Sequence, residues 1–219
     1  MKRVLEPEVM DTDEEADGYD SMDHSGPNQS FVERLVALGA AGRMLDIGCG
    51  PGHIPLLVCE SIDQAEVLGI DLAEKMLRHA RRHAGESPFG ERCSFQLGDA
   101  KGLDFADHSF DCVYSNTILH HIPDPLPFLQ EAWRVLRPGG VFLVRDLFRP
   151  DSIENVESLV ATYAAKESEN ARALFHASLC AALRVEELRE LSVKVSPELE
   201  VAVDSDRHMS LQGRKPELT

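Results

Sequence analysis

The segment Asp46-Ile47-Gly48-Cys49-Gly50-Pro51-Gly52 concentrates the residue types able to hold a ligand. Three alternating glycines mark a tight turn where backbone, not side chain, approaches a bound molecule. Apolar residues at Ile54, Leu57 and Val58 predict a helix over His53–Ser61, so the turn lies at a helix amino terminus. A dinucleotide pyrophosphate is bound by Gly-x-Gly-x-x-Gly. Here the third glycine comes one place early, and His53 stands where it would be. The Asp46 carboxylate would repel a pyrophosphate but suits a cationic or amine-bearing ligand. S-adenosylmethionine carries both a sulfonium and an ammonium.

Further polar residues fall at the ends of apolar runs. Asp71 closes Glu66–Asp71, about one βαβ step on, where an acid accepts from ribose hydroxyls of a nicotinamide or an adenosyl ligand. Asp99, in Gly98-Asp99-Ala100, is placed to accept from an exocyclic amine such as adenine's. Ser115 and Asn116 follow a fourth run, and His120 and His121 come soon after. Imidazole is the right base near neutral pH, so His120 is the candidate general base; otherwise it packs or binds substrate. Arg145-Asp146 ends a fifth run and is placed to orient an acceptor, with Asp146 the candidate site residue. Asp206-Arg207-His208, Tyr19 and His24 are placed by position alone at the same mouth. Plain structural roles fit other residues. Asp111 reads as a cap at a strand start and Asp124 as a helix N-cap. Cys49 packs in its loop and is no nucleophile. His79 and His83, four apart, have metal-pair spacing, yet among Arg78, Arg81 and Arg82 they read as a solvated face, and no metal site is expected.

These residues need elements to hold them. Short apolar runs at 43–47, 66–71, 93–99, 110–115 and 141–146 predict five strands, with helices at 53–61, 73–84 and 124–136 between them. Such alternation implies parallel pairing, right-handed crossovers and a doubly wound α/β sheet with its ligand at the carboxyl ends of the strands. Asp46, Asp71, Asp99, Ser115-Asn116 and Asp146 all fall there. Helices are predicted at 153–165, 171–183 and 185–191, and two short strands near 198–203 and 208–214. Residues 1–27 stand apart: nine acids and no base lie between Glu6 and Asp23, with Val9, Met10, Tyr19 and Met22 as apolar anchors. They predict a short helical arm, a lid over the site, ahead of a main domain over 28–219. Within that domain, 28–150 holds the cofactor and 151–219 adds helices and the last two strands.

Composition sets the class. The chain has 219 residues, 43% hydrophobic and 27% charged, an ordinary globular balance. Against 38 acidic residues stand 22 Lys and Arg, a net charge of −16, which argues against nucleic acid or an anionic membrane surface as partner. No apolar stretch is long enough to span a bilayer, and the amino terminus lacks a secretory signal. Five scattered cysteines without a Cys-x-x-Cys pair read as reduced thiols in a cytoplasmic protein. The oligomeric state is open.

Six segments in one order carry a resemblance: Asp46–Gly52, Gly69-Ile70-Asp71, Gly98-Asp99-Ala100, Phe110–Ser115, Leu119–Asp124 and Leu136–Gly140. Together they resemble the class I S-adenosylmethionine-dependent methyltransferases, in the small-molecule branch that includes quinone-biosynthesis enzymes. The likeness covers about residues 28–150. It implies a Rossmann-like seven-stranded sheet in order 3-2-1-4-5-7-6, with strand 7 antiparallel. It implies that Gly48, Cys49, Gly50 and Gly52 pass under the methionine part, with Asp46 near its amino group. Asp71 would hold the ribose, Leu72 and Met76 would pack beside it, Asp99 would take the adenine amine, and Ala100 would line the base. Ser115, Asn116 and His121 would flank the methionine. The run Ser115-Asn116-Thr117-Ile118 lacks the Pro-Pro-aromatic signature of amino-DNA enzymes, no cysteine follows a proline as cytosine-C5 enzymes require, and no carboxylate cluster offers a magnesium site. The implied activity is methyl transfer to a small-molecule acceptor. The alternatives are a nicotinamide-dependent oxidoreductase and a non-catalytic S-adenosylmethionine-binding accessory protein.

Overall fold

The computed structural model describes residues 1–6 and 12–217, so the anchors Val9 and Met10 lie outside the described residues. Seven strands form one sheet: β1 (Arg43–Ile47), β2 (Glu66–Asp71), β3 (Cys93–Leu97), β4 (Phe110–Asn116), β5 (Leu136–Leu147), β6 (Glu200–Val203) and β7 (His208–Arg214). Their order is β3-β2-β1-β4-β5-β7-β6, with β7 antiparallel to both neighbours and the other pairs parallel, as the resemblance implied.

Helices cover both faces, which is why the central strands read as nearly unbroken apolar runs. On one face α2 (Ser25–Ala37) and α3 (His53–Ser61) bury Phe31, Leu35 and Val58 against Met44, Cys112, Tyr114 and Leu143. On the other, α5 (Pro125–Val135) and α8 (Val185–Val195) bury Phe128, Leu129 and Leu188 against Leu45, Val113, Phe142 and Leu211. Strand alternation sends Met44 one way and Leu45 the other. The remaining helices are α1 (Asp13–Asp20), α4 (Glu74–Glu86), α6 (Ile153–Tyr163) and α7 (Glu169–Ala181). No described helix is long and apolar enough to cross a membrane.

The differences from expectation lie at element ends. Helix α2 starts at Ser25, so Gly26-Pro27 is its first turn, not a break, and the 27/28 boundary falls inside it. Proline is tolerated there because the first helical N–H groups have no partner in any case. Strand β5 begins five residues early: Leu136 pairs with Phe110, then a bulge shifts the register to Cys112 and Val141. Strand β3 ends at Leu97, leaving Gly98 and Asp99 in a loop. Helix α7 begins earlier than expected because the Ser168 side chain accepts from Ala171 N–H and caps it.

Candidate functional site

A cleft of about 830 Å³, counted out to its open mouth, lies at the carboxyl ends of β1, β2 and β4. Its first wall is the glycine turn. The Gly48 and Cys49 N–H groups donate to Ile70 O at 2.8 and 3.0 Å, tying the turn to β2. Gly50 N–H donates to Asp71 Oδ2 at 2.8 Å, and Ala73 N–H to Asp71 Oδ1 at 2.9 Å. One carboxylate thus sets both the glycine turn and the start of α4.

The three glycines are required for different reasons. Gly48 has φ +76°, and a Cβ there would run into Ile118. Gly52 has φ +81°, and a Cβ would press on Ala80 at 2.9 Å and Phe95 at 3.0 Å, so it answers to packing and not to a ligand. Gly50 has φ +51°, yet a Cβ would meet nothing nearer than Tyr19 at 4.0 Å. Space in front of Gly50 is left open by the protein itself.

The other site residues divide in two. Asp71, Leu72, Met76, Asp99, Ala100, Asn116 and His121 line the cleft, joined by Tyr19 from α1 and by Lys101. Asp99 accepts from Lys101 N–H at 2.9 Å and pairs with its ammonium at 3.2 Å. Asp46, Cys49, Gly52 and Ser115 lie behind the wall. Ser115 Oγ donates to Ile47 O at 2.7 Å, holding β4 to β1. The Cys49 sulfur sits beside Gly69 and Phe95, where burial pushes its thiol pKa far up. Asp46 is buried, and its Oδ2 has no hydrogen-bond partner. Burial first, then the Asp71 charge, raises its pKa well above the carboxylate range.

The second wall holds a buried polar cluster. His120 Nδ1 lies 2.7 Å from Asp146 Oδ1, and His120 N–H donates to Asp146 Oδ2 at 3.0 Å. Glu6 closes the cluster, its Oε2 3.2 Å from His121 Nδ1 and 3.8 Å from His120 Nε2. Arg3 holds this leading strap down by donating to Ala181 O at 2.6 Å, Ile122 O at 3.0 Å and Pro123 O at 3.1 Å. Burial pulls the His120 pKa down, but the Asp146 and Glu6 carboxylates outweigh it and the net shift is upward. For Asp146, burial is outweighed by His120 and two backbone donors, and its pKa falls. Burial raises that of Glu6. His121 is on the cleft wall, while His120 lies behind it, only 2% exposed. Arg3 and Glu6 escaped sequence reasoning: a single arginine and glutamate in a charged leader carry no periodic or motif signal.

Three positional expectations are corrected. Arg145 does not join Asp146, because successive strand residues face opposite ways; it reaches Pro27 O at 3.4 Å and approaches Asp204 at 3.9 Å. Asp206 and Arg207 engage Tyr163 instead of the mouth, through a 2.6 Å hydrogen bond and a cation over the ring at 3.4 Å. His24 stacks on Tyr19 at 4.7 Å between centroids, supporting the residue that lines the cleft. His79 and His83 are not on a solvated face either: α1 covers them, leaving 11% and 18% of their side chains exposed. Asp111 and Asp124 do cap, accepting from Arg43 N–H at 2.6 Å and Leu126 N–H at 3.3 Å.

The family model described as "Methyltransferase domain" matches residues 38–207. The chain is 36% identical over 124 residues to 27-O-demethylrifamycin SV methyltransferase of Amycolatopsis mediterranei, covering 57% of this chain and 45% of that protein. It is 31% identical over 147 residues to demethylmenaquinone methyltransferase of Symbiobacterium thermophilum, covering 64% and 59%. The chain thus spans about half the length of these curated relatives. In fold it is similar to a putative S-adenosyl-L-methionine-dependent methyltransferase of Methanococcus maripaludis, with TM-score 0.74, 17% identity and 99% of each chain covered. It is also similar to Haemonchus contortus phosphoethanolamine N-methyltransferase 2 in complex with S-adenosyl-L-methionine, with TM-score 0.72, 18% identity, and 94% of this chain and 58% of that one covered.

Proposed function

The chain belongs to the methyltransferase domain family, and from that premise we propose that it binds S-adenosylmethionine in the cleft and transfers the methyl group to a small-molecule acceptor. The observation that carries this is the open space in front of Gly50, a left-handed cleft position whose Cβ would meet nothing nearer than Tyr19, another cleft residue, at 4.0 Å. The residues around it fit the group. Asp71 and Asp99 offer acceptors for ribose and adenine, Met76 and Ala100 offer apolar surface, and Asp46 adds a buried carboxylate behind the turn. The nicotinamide alternative finds no support in the family.

S-adenosylmethionine would supply an electrophilic methyl on sulfur. The protein's task is then to hold the acceptor in line with it, and such positioning is worth roughly 7–11 kcal/mol. Asp71 fixes the glycine turn through two backbone donors. In this reading Asp146 orients His120 as the base when the acceptor must lose a proton, and Glu6 moves aside to admit it. The relatives are named for 27-O-demethylrifamycin SV and demethylmenaquinone, and the first name supports an oxygen nucleophile on the acceptor. The described cysteines are all free, which supports a reducing, cytoplasmic setting.

Calorimetry with S-adenosylmethionine, followed by a screen of phenolic, quinol and amine acceptors read by S-adenosylhomocysteine release, tests this. Binding with turnover on at least one acceptor is expected. Heat with a nicotinamide dinucleotide and none with S-adenosylmethionine would overturn the cofactor reading. Tight binding without turnover on any acceptor would favour the accessory-protein alternative.

A further inference from the structure

We propose that Asp20, His53 and His83 form a binding site for a divalent transition-metal ion of the zinc class, which pins the arm helix α1 to the body beside the glycine turn. His53 Nε2 lies 3.2 Å and His83 Nε2 3.5 Å from Asp20 Oδ1, and the three ligand atoms all fall within 4.8 Å of one another. With metal–ligand bonds of about 2.0–2.1 Å, a tetrahedral site has edges of roughly 3.3–3.4 Å. The spacing therefore matches ligands gathered around an ion. Asp20 Oδ1 is buried, and its nearest polar neighbours are the two imidazole nitrogens, His53 Nε2 and His83 Nε2.

The ligand atoms are also prepared. His83 Nδ1 lies 2.8 Å from Pro51 O. A carbonyl only accepts, so Nδ1 carries the proton and Nε2 keeps its lone pair. This is the outer hydrogen bond that orients metal-binding histidines. A cation already occupies the neighbouring position: Arg82 Nη2 lies 2.8 Å from Asp20 Oδ2, 3.0 Å from His79 Nδ1 and 3.1 Å from His83 Nε2. Asp20 Oδ2 accepts from Arg82 and also lies 3.1 Å from His79 Nδ1, so α1 and α4 bring one carboxylate and two imidazoles to a single guanidinium nitrogen. The Arg82 side chain is 51% exposed and can withdraw to solvent. Two imidazoles with one carboxylate favour zinc-class ions over calcium or magnesium, which prefer all-oxygen sites.

The consequence follows from chain order. Asp20 is next to Tyr19, which lines the cleft, and His53 follows Gly52. A bound ion would fix that wall of the cleft.

The test uses the full chain, stripped with a chelator and titrated with Zn²⁺ alone, with Co²⁺ as a spectroscopic substitute. One Zn²⁺ per chain and a visible Co²⁺ band of tetrahedral intensity are expected. Asp20→Asn and His83→Gln should each weaken Zn²⁺ binding more than about tenfold, while His176→Gln on α7 leaves it unchanged. Arg82→Gln should tighten binding, since a competing cation is lost. Metal-free melting by circular dichroism identifies any variant that fails to fold, and His53→Gln then replaces it. Absence of saturable binding, equal affinity in the ligand variants, or weaker binding in Arg82→Gln would overturn the proposal. Every arm omits S-adenosylmethionine, so this result and the fate of the methyl-transfer reading are separate.

Discussion

The two walls of the cleft are built on opposite terms. The wall made by β1, β2 and the loops after them is mostly backbone: a glycine turn hung on Ile70 O and held by one carboxylate, Asp71. Its parts are close in sequence or one βαβ step apart. The wall behind His121 is side chain on side chain, with Glu6, His120, Asp146 and Ser178 drawn from four distant places in the chain. A backbone wall tolerates change everywhere except at its glycines and their single anchor. A side-chain wall spreads its dependence over several charges and makes it sensitive to pH.

The largest effect expected from this contrast is at Gly50. Gly50→Val should abolish measurable S-adenosylmethionine binding, a loss of at least about a hundredfold, or ~2.7 kcal/mol. A Cβ there meets nothing nearer than Tyr19 at 4.0 Å, so little packing is lost, but a β-branched residue at φ +51° is strained and the variant should also melt somewhat lower. Gly52→Val should lower the melting temperature further, because its Cβ presses on Ala80 and Phe95. Calorimetry and thermal melts on the pair separate the ligand role from the packing role. Tight binding by Gly50→Val would remove the observation on which the cofactor site rests.

Asp71→Ala comes next. It deletes the acceptor for two backbone donors, so it should weaken S-adenosylmethionine binding by about 1.5–3 kcal/mol and also lower stability. A ribose contact alone would leave the melting temperature unchanged, so measuring both quantities tells positioning from direct recognition.

The contrast also explains what the sequence could disclose. Asp46–Gly52, Asp71 and Asp99 were legible because each sits at the carboxyl end of a periodic apolar run, and a parallel sheet brings such ends together. Strand β7 was legible near His208–Arg214 because Met209 and Leu211 alternate with His208, Ser210 and Gln212. The strap was not legible: Arg3 acts through carbonyls that any sequence possesses, and Glu6 through the side chains of His120 and His121, all more than a hundred positions away. The Asp20–His79–His83 contacts were hidden for a similar reason. Histidines among arginines look solvated until α1, folded back across 62 residues of sequence, brings its acids to them. Arg145 does not join Asp146 in orienting an acceptor, because adjacency in a strand is opposition in space.

The side-chain wall yields a pH prediction of intermediate size. The folded pKa of His120 lies above the usual 6.5, so its stabilising contribution is complete below 6.5 and is lost as pH rises through the folded value. Asp146 has its pKa depressed below 3.8, so its contribution is present above 3.8 and is lost only as pH falls through that lower value. The pair therefore stabilises fully between these limits and weakens above 6.5. Glu6 has a raised pKa, so its burial becomes unfavourable as pH rises through its folded value. The melting-temperature difference between wild type and His120→Gln should shrink from about pH 6 to about pH 9. Taking the difference isolates this site from His24 and His208, whose shifts have the opposite sign. A difference that stays constant over that range would mean that His120 does not titrate between about pH 6 and about pH 9.

The smallest expected effect is on the arm, where the two walls meet. Tyr19 lines the cleft, and α1 buries Ala16 against Ala73 and Met76 on the cofactor side. Salt bridges from Asp13 to Lys75 and Arg78 hold the helix at its other end, but these are exposed pairs worth little individually. The Asp20 end is held more firmly, by Arg82 at 2.8 Å and His79 at 3.1 Å, so the helix should lift at its Asp13 end and shift little around Tyr19. Tyr19→Ala should therefore weaken S-adenosylmethionine binding by only about 1 kcal/mol, the scale of a partly buried aromatic contact, while Tyr19→Phe leaves it unchanged. S-adenosylmethionine should also slow proteolysis within residues 12–27 of the wild type, and Tyr19→Ala should reduce that protection. Equal cleavage rates with and without S-adenosylmethionine in a protein that binds it would assign the arm to the scaffold and leave both walls of the cleft fixed.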